Sequence, residues 1–524
     1  MIGFALLNLF FFSSSKIDKM AINNHVTIDK MLTHVGEFGL FQWLLNAMFC
    51  VMVVPQTYQI LIMYFAALNP DWQCVNGTEC PYNGTLPSKN TSRCDMQRSS
   101  WEYTKPKDYS IVTEFDINCG KEWQIHLTFS IFFLSWGIGA IVLGYLADKT
   151  GRKSIIFPSV SVIIIAGFIT SFSPNIYLFI VARFIVGFFT PGTTVQEFVL
   201  LNEFVGNKYR PIAGNIMWLF FTLALCVLGL QAYYIRQWKY LFIACTAPYI
   251  FVLLFYKFVP ESVRWQRLNG KDEQVAECLR RIARWNKKKI PEGVQVEGKS
   301  GNDISHHTSP LDLFKHRKMA IQTLVQGFAW LVNAMIYFSL SLAADGLGGS
   351  LYTNYVMLSA IEFPAALFCA YCCEKFGRKN TVIYSLLIPS ITCISVAFIP
   401  SDGGGHIARI ILSLIGKFFI SSSFGGIYIW SAEIYPTNIR AKGMGFLQVA
   451  SRIGAASSPW IARGLKVLHE AVPFAVMGAF GLLGGGFLFL LPETKGMATS
   501  ESEEVDYKII EMEISIKNMT QTKK

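Results

Sequence analysis

Four stretches of this chain, residues 125–146, 155–171, 212–230 and 474–491, are almost uninterruptedly apolar. They approach or exceed the roughly 20 residues that carry a helix across a bilayer. Read along all 524 residues, stretches of this kind predict about twelve spans. Composition agrees: 52% of residues are hydrophobic and 15% charged, where soluble domains hold about a quarter charged. The expected fold class is an all-α membrane protein, with the lipid bilayer as its surroundings.

The net charge of +11 does not point to nucleic acid, because the positive residues sit in short hydrophilic stretches between spans and not on one soluble face. Lys149, Arg152 and Lys153, then Lys208 and Arg210, then the segment 264–318, then Lys375, Arg378 and Lys379, then Arg440 and Lys442 fall in alternate loops. The positive-inside rule makes those loops cytoplasmic. Both termini then lie inside and the long loop 69–122 lies outside, as in a multi-pass protein of the plasma membrane. That loop holds three glycosylation sequons, at Asn76, Asn83 and Asn90, and four cysteines, Cys74, Cys80, Cys94 and Cys119. An oxidising compartment suits both features. Four cysteines allow three pairings, and spacing does not choose among them. The other eight cysteines read as buried small side chains or free thiols, and no metal-ligand spacing is present. Residues 1–12 are apolar but lack a basic leader and a cleavage site, so a cleaved signal peptide is not expected.

The chain also repeats itself. Asp148-Lys-Thr-Gly-Arg-Lys153 returns as Glu374-Lys-Phe-Gly-Arg-Lys379, Glu203 with Arg210 returns as Glu433 with Arg440, and Pro260-Glu-Ser262 returns as Pro492-Glu-Thr494. The offsets are 226, 230 and 232 residues. Three ordered pairs at a nearly constant offset predict two six-helix halves, 35–259 and 319–491. Around them lie an N-terminal cytoplasmic segment 1–34, a cytoplasmic loop 260–318 and a cytoplasmic tail 492–524. Parallel repeats of this kind place a substrate cavity between halves that rock to alternate access. Gly151 and Gly377 permit tight turns between helices, while Asp148 and Glu374 can pair with basic neighbours or a helix N-terminus. Arg152, Glu203, Arg210, Arg378, Glu433 and Arg440 complete the candidate gates.

The Gly-Arg-Lys turns, Pro260-Glu-Ser-Val-Arg-Trp265 and Pro492-Glu-Thr-Lys-Gly496 resemble the major facilitator superfamily, including its sugar porters. Tyr109-Ser-Ile-Val-Thr-Glu-Phe-Asp-Ile-Asn-Cys119, closing a long first loop, is similar to the solute carrier 22 family of organic cation, anion and zwitterion transporters. Sugar porters lack this loop, and their paired glutamines are absent from 323–340. The resemblance runs from about His34 to Gly496. Phe198-Val-Leu-Leu-Asn-Glu-Phe-Val-Gly206 and Leu347-Gly-Gly-Ser-Leu-Tyr352 look closest to the fly-like transporter branch. Gly416-Lys417, Ser431-Ala-Glu-Ile-Tyr-Pro436 and Ala450-Ser-Arg-Ile-Gly454 are similar to carnitine and ergothioneine transporters.

The resemblance implies a secondary transporter of organic cations or zwitterions, not an enzyme, with no cofactor and with a coupled ion, Na+ or H+, as a further partner. Ionisable side chains inside spans line cavities or pair with one another. Arg452 is the first substrate-binding candidate: the matching position looks like arginine in the anion and carnitine branches, and its guanidinium offers a fork to a carboxylate. The competing reading is an internal salt bridge from Arg452 to Glu362. Glu362 would itself attract a cationic group, and Trp218, Trp330 and Tyr337 match cavity-lining positions whose rings could hold a quaternary ammonium. Ala366 stands where the anion branch carries lysine, which opposes the alternative of an organic anion carrier. A non-transporting receptor on the same fold is the other alternative. Arg183 and Lys417, 234 residues apart, read as equivalent structural or gating positions, and Glu197 as a group for a coupled ion or the gate. No nucleotide-binding glycine loop and no nucleophile elbow is present.

Overall fold

A computed structural model describes residues 25–26, 28–75, 94, 96–206, 208–288, 295–296, 313–347, 349–400, 405–436 and 439–496. Ten helices in it are long and apolar enough to cross a membrane: α1 Leu40–Ala66, α2 Trp123–Thr150, α3 Lys153–Ser171, α4 Ile176–Phe204, α5 Arg210–Tyr234, α6 Trp238–Lys257, α7 Arg317–Leu342, α8 Leu351–Phe376, α9 Arg378–Phe398 and α10 Gly405–Ile434. Two more follow. Arg440–Pro459, α11, is long enough but more polar, and Val472–Leu488, α12, is apolar but only 17 residues long. Ten of the about twelve expected spans thus meet both length and apolarity, while α11 falls short in apolarity and α12, among the most apolar stretches of the sequence, falls short only in helical length.

Local chemistry sets the helix ends. Asn175 accepts a hydrogen bond from Leu178 N at the start of α4, and Ser262 accepts one from Trp265 N at the start of the short helix Val263–Leu268. These contacts satisfy amides that have no partner within the first turn. Close crossings are made by glycine. A Cβ on Gly139 of α2 would lie 1.9 Å from the carbonyl oxygen of Phe188 on α4, and one on Gly454 of α11 would lie 2.0 Å from that of Leu331 on α7. Small residues at such crossings let helix backbones touch, the usual basis of helix packing in a bilayer.

The described residues fall into two compact units. One comprises those within 15–303 and 350–360, the other those within 304–349 and 361–524. The division does not follow the boundaries of the two sequence halves throughout, because the first ten residues of α8 cluster with the first unit. There Tyr355 packs edge-on to Phe65 of α1 at 4.8 Å, and Tyr352 stacks on the same ring at 5.7 Å. The loop after α1 forms a two-stranded antiparallel ribbon, β1 Trp72–Cys74 and β2 Trp101–Tyr103. Cys94 and Cys119 are joined in a disulfide and Cys74 is disulfide-bonded as well. Cys80 and the sequons at Asn76, Asn83 and Asn90 lie outside the described residues. The eight remaining cysteines are not disulfide-bonded, seven buried and Cys226 half-buried.

Candidate functional site

The three repeated sequence pairs converge on one arrangement, built twice. In the first unit Gly151 ends α2 with φ of +105°, so α3 starts at once with its amides aimed back. Glu261 receives them: the N–H groups of Arg152 and Lys153 donate to its Oε1 at 2.9 and 3.2 Å. A carboxylate suits a helix N-terminus, where unpaired N–H groups and the helix dipole both favour negative charge. The Arg152 guanidinium reaches Asp148 at 2.9 Å and Glu203, at the end of α4, at 3.4 Å.

In the second unit Gly377, with φ of +92°, makes the corresponding turn. Glu493 accepts from the N–H groups of Arg378, at 2.9 Å, and Lys379, at 3.1 Å. Arg378 pairs with Glu433 at 3.2 Å, and Thr494 donates its hydroxyl to the same carboxylate. Both turn glycines are required by their φ values and by space, since a Cβ at either would lie 2.3 Å from the Oε2 of the capping glutamate. Glu374, the counterpart of Asp148, is exposed. Arg210 and Arg440 act on backbone, donating to Asn202 O at 2.9 Å and to Tyr435 O at 3.2 Å respectively. Glu261 and Glu493 are the organising carboxylates. Sequence reasoning passed over both as site residues, although the repeated Pro-Glu dipeptide was their signal.

The polar groups buried in the second unit gather between α7, α8, α10 and α11. Lys417 of α10 lies 3.0 Å from Glu362 Oε1 and 3.2 Å from the centroid of the Tyr337 ring, and it donates to Ser341 Oγ at 2.9 Å. Tyr337 donates its hydroxyl to Glu362 at 2.7 Å. Glu362 is therefore paired with Lys417, and the salt bridge weighed between Glu362 and Arg452 is not formed. Arg452 donates instead to Gln448 Oε1 at 3.2 Å, and Gln448 donates to the Tyr428 hydroxyl at 2.8 Å. Tyr428 packs on Trp330, with ring centroids 4.3 Å apart, and Phe424 bridges Tyr428, at 5.8 Å, to Tyr337, at 5.5 Å. Trp330 is buried, its indole N–H donating to Ser431 Oγ at 2.9 Å. Four of the five predicted binding residues thus share one unit. Trp218 is in the other, half exposed on α5 beside Phe221. Tyr428, Phe424 and Gln448 were missed, since their helical phase relative to Arg452 emerges only once α7, α10 and α11 are packed.

Arg183, read as the counterpart of Lys417, lies 20 residues before Glu203 on α4 where Lys417 lies 16 before Glu433 on α10, so the two stand about one helical turn apart in register. It is buried, donates to Gln59 O at 2.8 Å and stands 4.4 Å from the Phe132 ring centroid. Its partners are a carbonyl and a ring where Lys417 has a carboxylate, so the two positions match neither in register nor in chemistry.

A profile of the family described as sugar (and other) transporter matches residues 82–505. Among characterised relatives, organic cation/carnitine transporter 4 of Arabidopsis thaliana is 32% identical over 91% of this chain and 92% of its own. Solute carrier family 22 member 3 of Rattus norvegicus is 29% identical over 91% of this chain and 95% of its own. Among solved structures, the inward open conformation of the xylose transporter XylE from E. coli superposes with a TM-score of 0.61 at 14% identity, covering 88% of this chain and 99% of that one.

Proposed function

The chain belongs to the sugar (and other) transporter family and, within it, to the solute carrier 22 transporters, and on that premise we propose that it carries organic cations and zwitterions across the plasma membrane by alternating access. It is a multi-pass membrane transporter and not an enzyme. The observation that carries the substrate reading is the continuous run from Arg452 through Gln448 to Tyr428, Trp330, Phe424 and Tyr337. It offers a guanidinium for a carboxylate at one end and ring faces for a quaternary ammonium along its length. The name of the Arabidopsis thaliana relative, organic cation/carnitine transporter 4, supports the same class. The termini and the Gly151 and Gly377 turns face the cytoplasm in this reading, and loop 69–122 carries glycans outside.

One observation favours a second reading. Lys417 neutralises Glu362, so the net charge of this cluster comes from Arg452, which suits an organic anion. Uptake of radiolabelled carnitine, ergothioneine, tetraethylammonium and a dicarboxylate by cells expressing the wild type and Arg452→Ala separates the two. Carnitine or ergothioneine uptake above background, lowered about tenfold or more by the substitution at equal surface expression, supports the zwitterion reading, since a charge-assisted hydrogen bond contributes about 1.5–3 kcal/mol. Uptake of the dicarboxylate alone replaces it with the anion reading. Tetraethylammonium uptake indifferent to the substitution makes Arg452 structural.

A further inference from the structure

Glu197, read from the sequence as a group for a coupled ion or the gate, belongs neither to the two capped turns nor to the Arg452 cluster. It lies in α4, seven residues before the Phe204 end, which places it about 10 Å inside the helix. Its side chain is 0% exposed. The carboxylate is met by the amide of Gln56 on α1, whose Nε2 lies 2.7 and 2.8 Å from the two oxygens. Among the described residues no lysine, arginine or histidine pairs with it.

Among the described residues, the surrounding elements bring no cation to this depth. On α4 itself, Arg183 is fourteen positions away and bound to Gln59, and Glu203 is in the last turn with Arg152 and Arg264 beside it. The titratable groups of α2, His126, Tyr145, Asp148 and Lys149, lie toward its ends, and Lys153 and Arg210 open α3 and α5. Cys50 of α1 and Tyr249 of α6 lie within electrostatic range of Glu197. Tyr249 is fully buried and its hydroxyl has no hydrogen-bond partner. Cys50 donates to Asn46 Oδ1 at 3.6 Å, and Asn46 is itself buried with its amide nitrogen unpartnered. Gln42, Asn46 and Cys50 follow one another at i, i+4 along α1 and so lie on one face of the helix.

An ionised carboxylate taken out of water without a counter-charge costs several kcal/mol, and a polar group left unpartnered in hydrocarbon adds to that. A metal cation would need a shell of oxygen ligands, whereas the hydrogen-bond partner of this carboxylate among the described residues is an amide nitrogen. A proton satisfies the site with no added ligand. We propose that Glu197 is a proton-binding site, loaded and unloaded as the transporter changes conformation, through which substrate movement is coupled to a proton gradient. This depends on the chain being a transporter, not on which organic ion it carries.

Two measurements on full-length protein in lipid vesicles test it. Infrared difference spectra recorded through a pH titration should contain a protonated-carboxyl band in the wild type that Glu197→Gln, the isosteric neutral variant, removes. Carnitine and tetraethylammonium uptake should respond to an imposed pH gradient, and in Glu197→Gln that response should fall about tenfold while exchange without a gradient persists. Tyr249→Phe should shift the pH at which the band disappears without abolishing it. A wild-type spectrum in which Glu197→Gln changes no carboxyl band overturns the proposal. So does a variant whose gradient response equals that of the wild type, and so does uptake driven by sodium and lost in Glu197→Gln. If neither substrate moves in wild-type protein, the substrate reading fails and the infrared result alone decides the proton site.

Discussion

The ammonium of Lys417 sits 3.0 Å from the carboxylate of Glu362 and over the face of Tyr337, with all three side chains buried. Breaking such a pair from one side leaves an uncompensated charge in a low-dielectric interior, at a cost of about 3–5 kcal/mol. Lys417→Met is therefore expected to lower the unfolding temperature in detergent sharply. The double variant Lys417→Met with Glu362→Gln is expected to recover most of that loss. A double variant as unstable as the single would mean that the two residues are not energetically paired.

Gly151 and Gly377 each hold a positive φ beneath a capping carboxylate. Gly151→Ala is expected to cost about 1–3 kcal/mol from backbone strain, and more once Glu261 is pushed off the start of α3. Thermal stability of Gly151→Ala beside Glu261→Gln checks the account. Similar losses for the two single variants, with little further loss in the double, place both effects on one contact.

Glu493 carries a pH prediction. Burial raises its carboxyl, but the N–H groups of Lys495, Arg378, Thr494 and Lys379 together hold it below its ordinary value of 4.5. A group depressed in the folded state contributes stability that is present above its unfolded value and lost as pH falls through its folded one. Wild-type unfolding temperature is thus expected to drop on acidification below about pH 4.5, and Glu493→Gln should flatten that part of the curve. An unchanged acid limb in the variant would remove Glu493 from the cause.

The Cys94–Cys119 disulfide spans 25 residues of the loop between α1 and α2, a closure that stabilises by about 3 kcal/mol in chain-entropy terms. Cys119→Ser is expected to lower surface expression and to free Cys94 for a membrane-impermeant thiol reagent added outside intact cells. Labelling of the variant only after permeabilisation would reverse the proposed orientation.

Much of this arrangement was legible in the chain. Apolar runs of span length identified the spans, and the Gly-Arg-Lys, Glu-to-Arg and Pro-Glu pairs identified the repeat, because each is written in contiguous residues. What could not be read was phase and distance between helices. Arg452 and Glu362 were credible partners as two opposite charges in spans, but the packing of α10 against α8 gives Glu362 to Lys417. Gln448, one turn before Arg452 on α11, looked unremarkable until Tyr428 of α10 came within 2.8 Å of it. The Pro-Glu carboxylates were visible as a repeat and invisible as caps, since the amides they bind stand 109 and 115 positions away in sequence.

The twofold construction of that cap makes the molecule its own control experiment. Glu261 and Glu493 bind the same two backbone positions of the same turn, yet Arg152 pairs with both Asp148 and Glu203, while among the described residues Arg378 pairs with Glu433 and not with Glu374. Matched substitutions at the two sites share their capping chemistry, so that contribution cancels in the comparison. Any difference between them in uptake or stability reports the asymmetry of the neighbouring charges, without reference to a second protein.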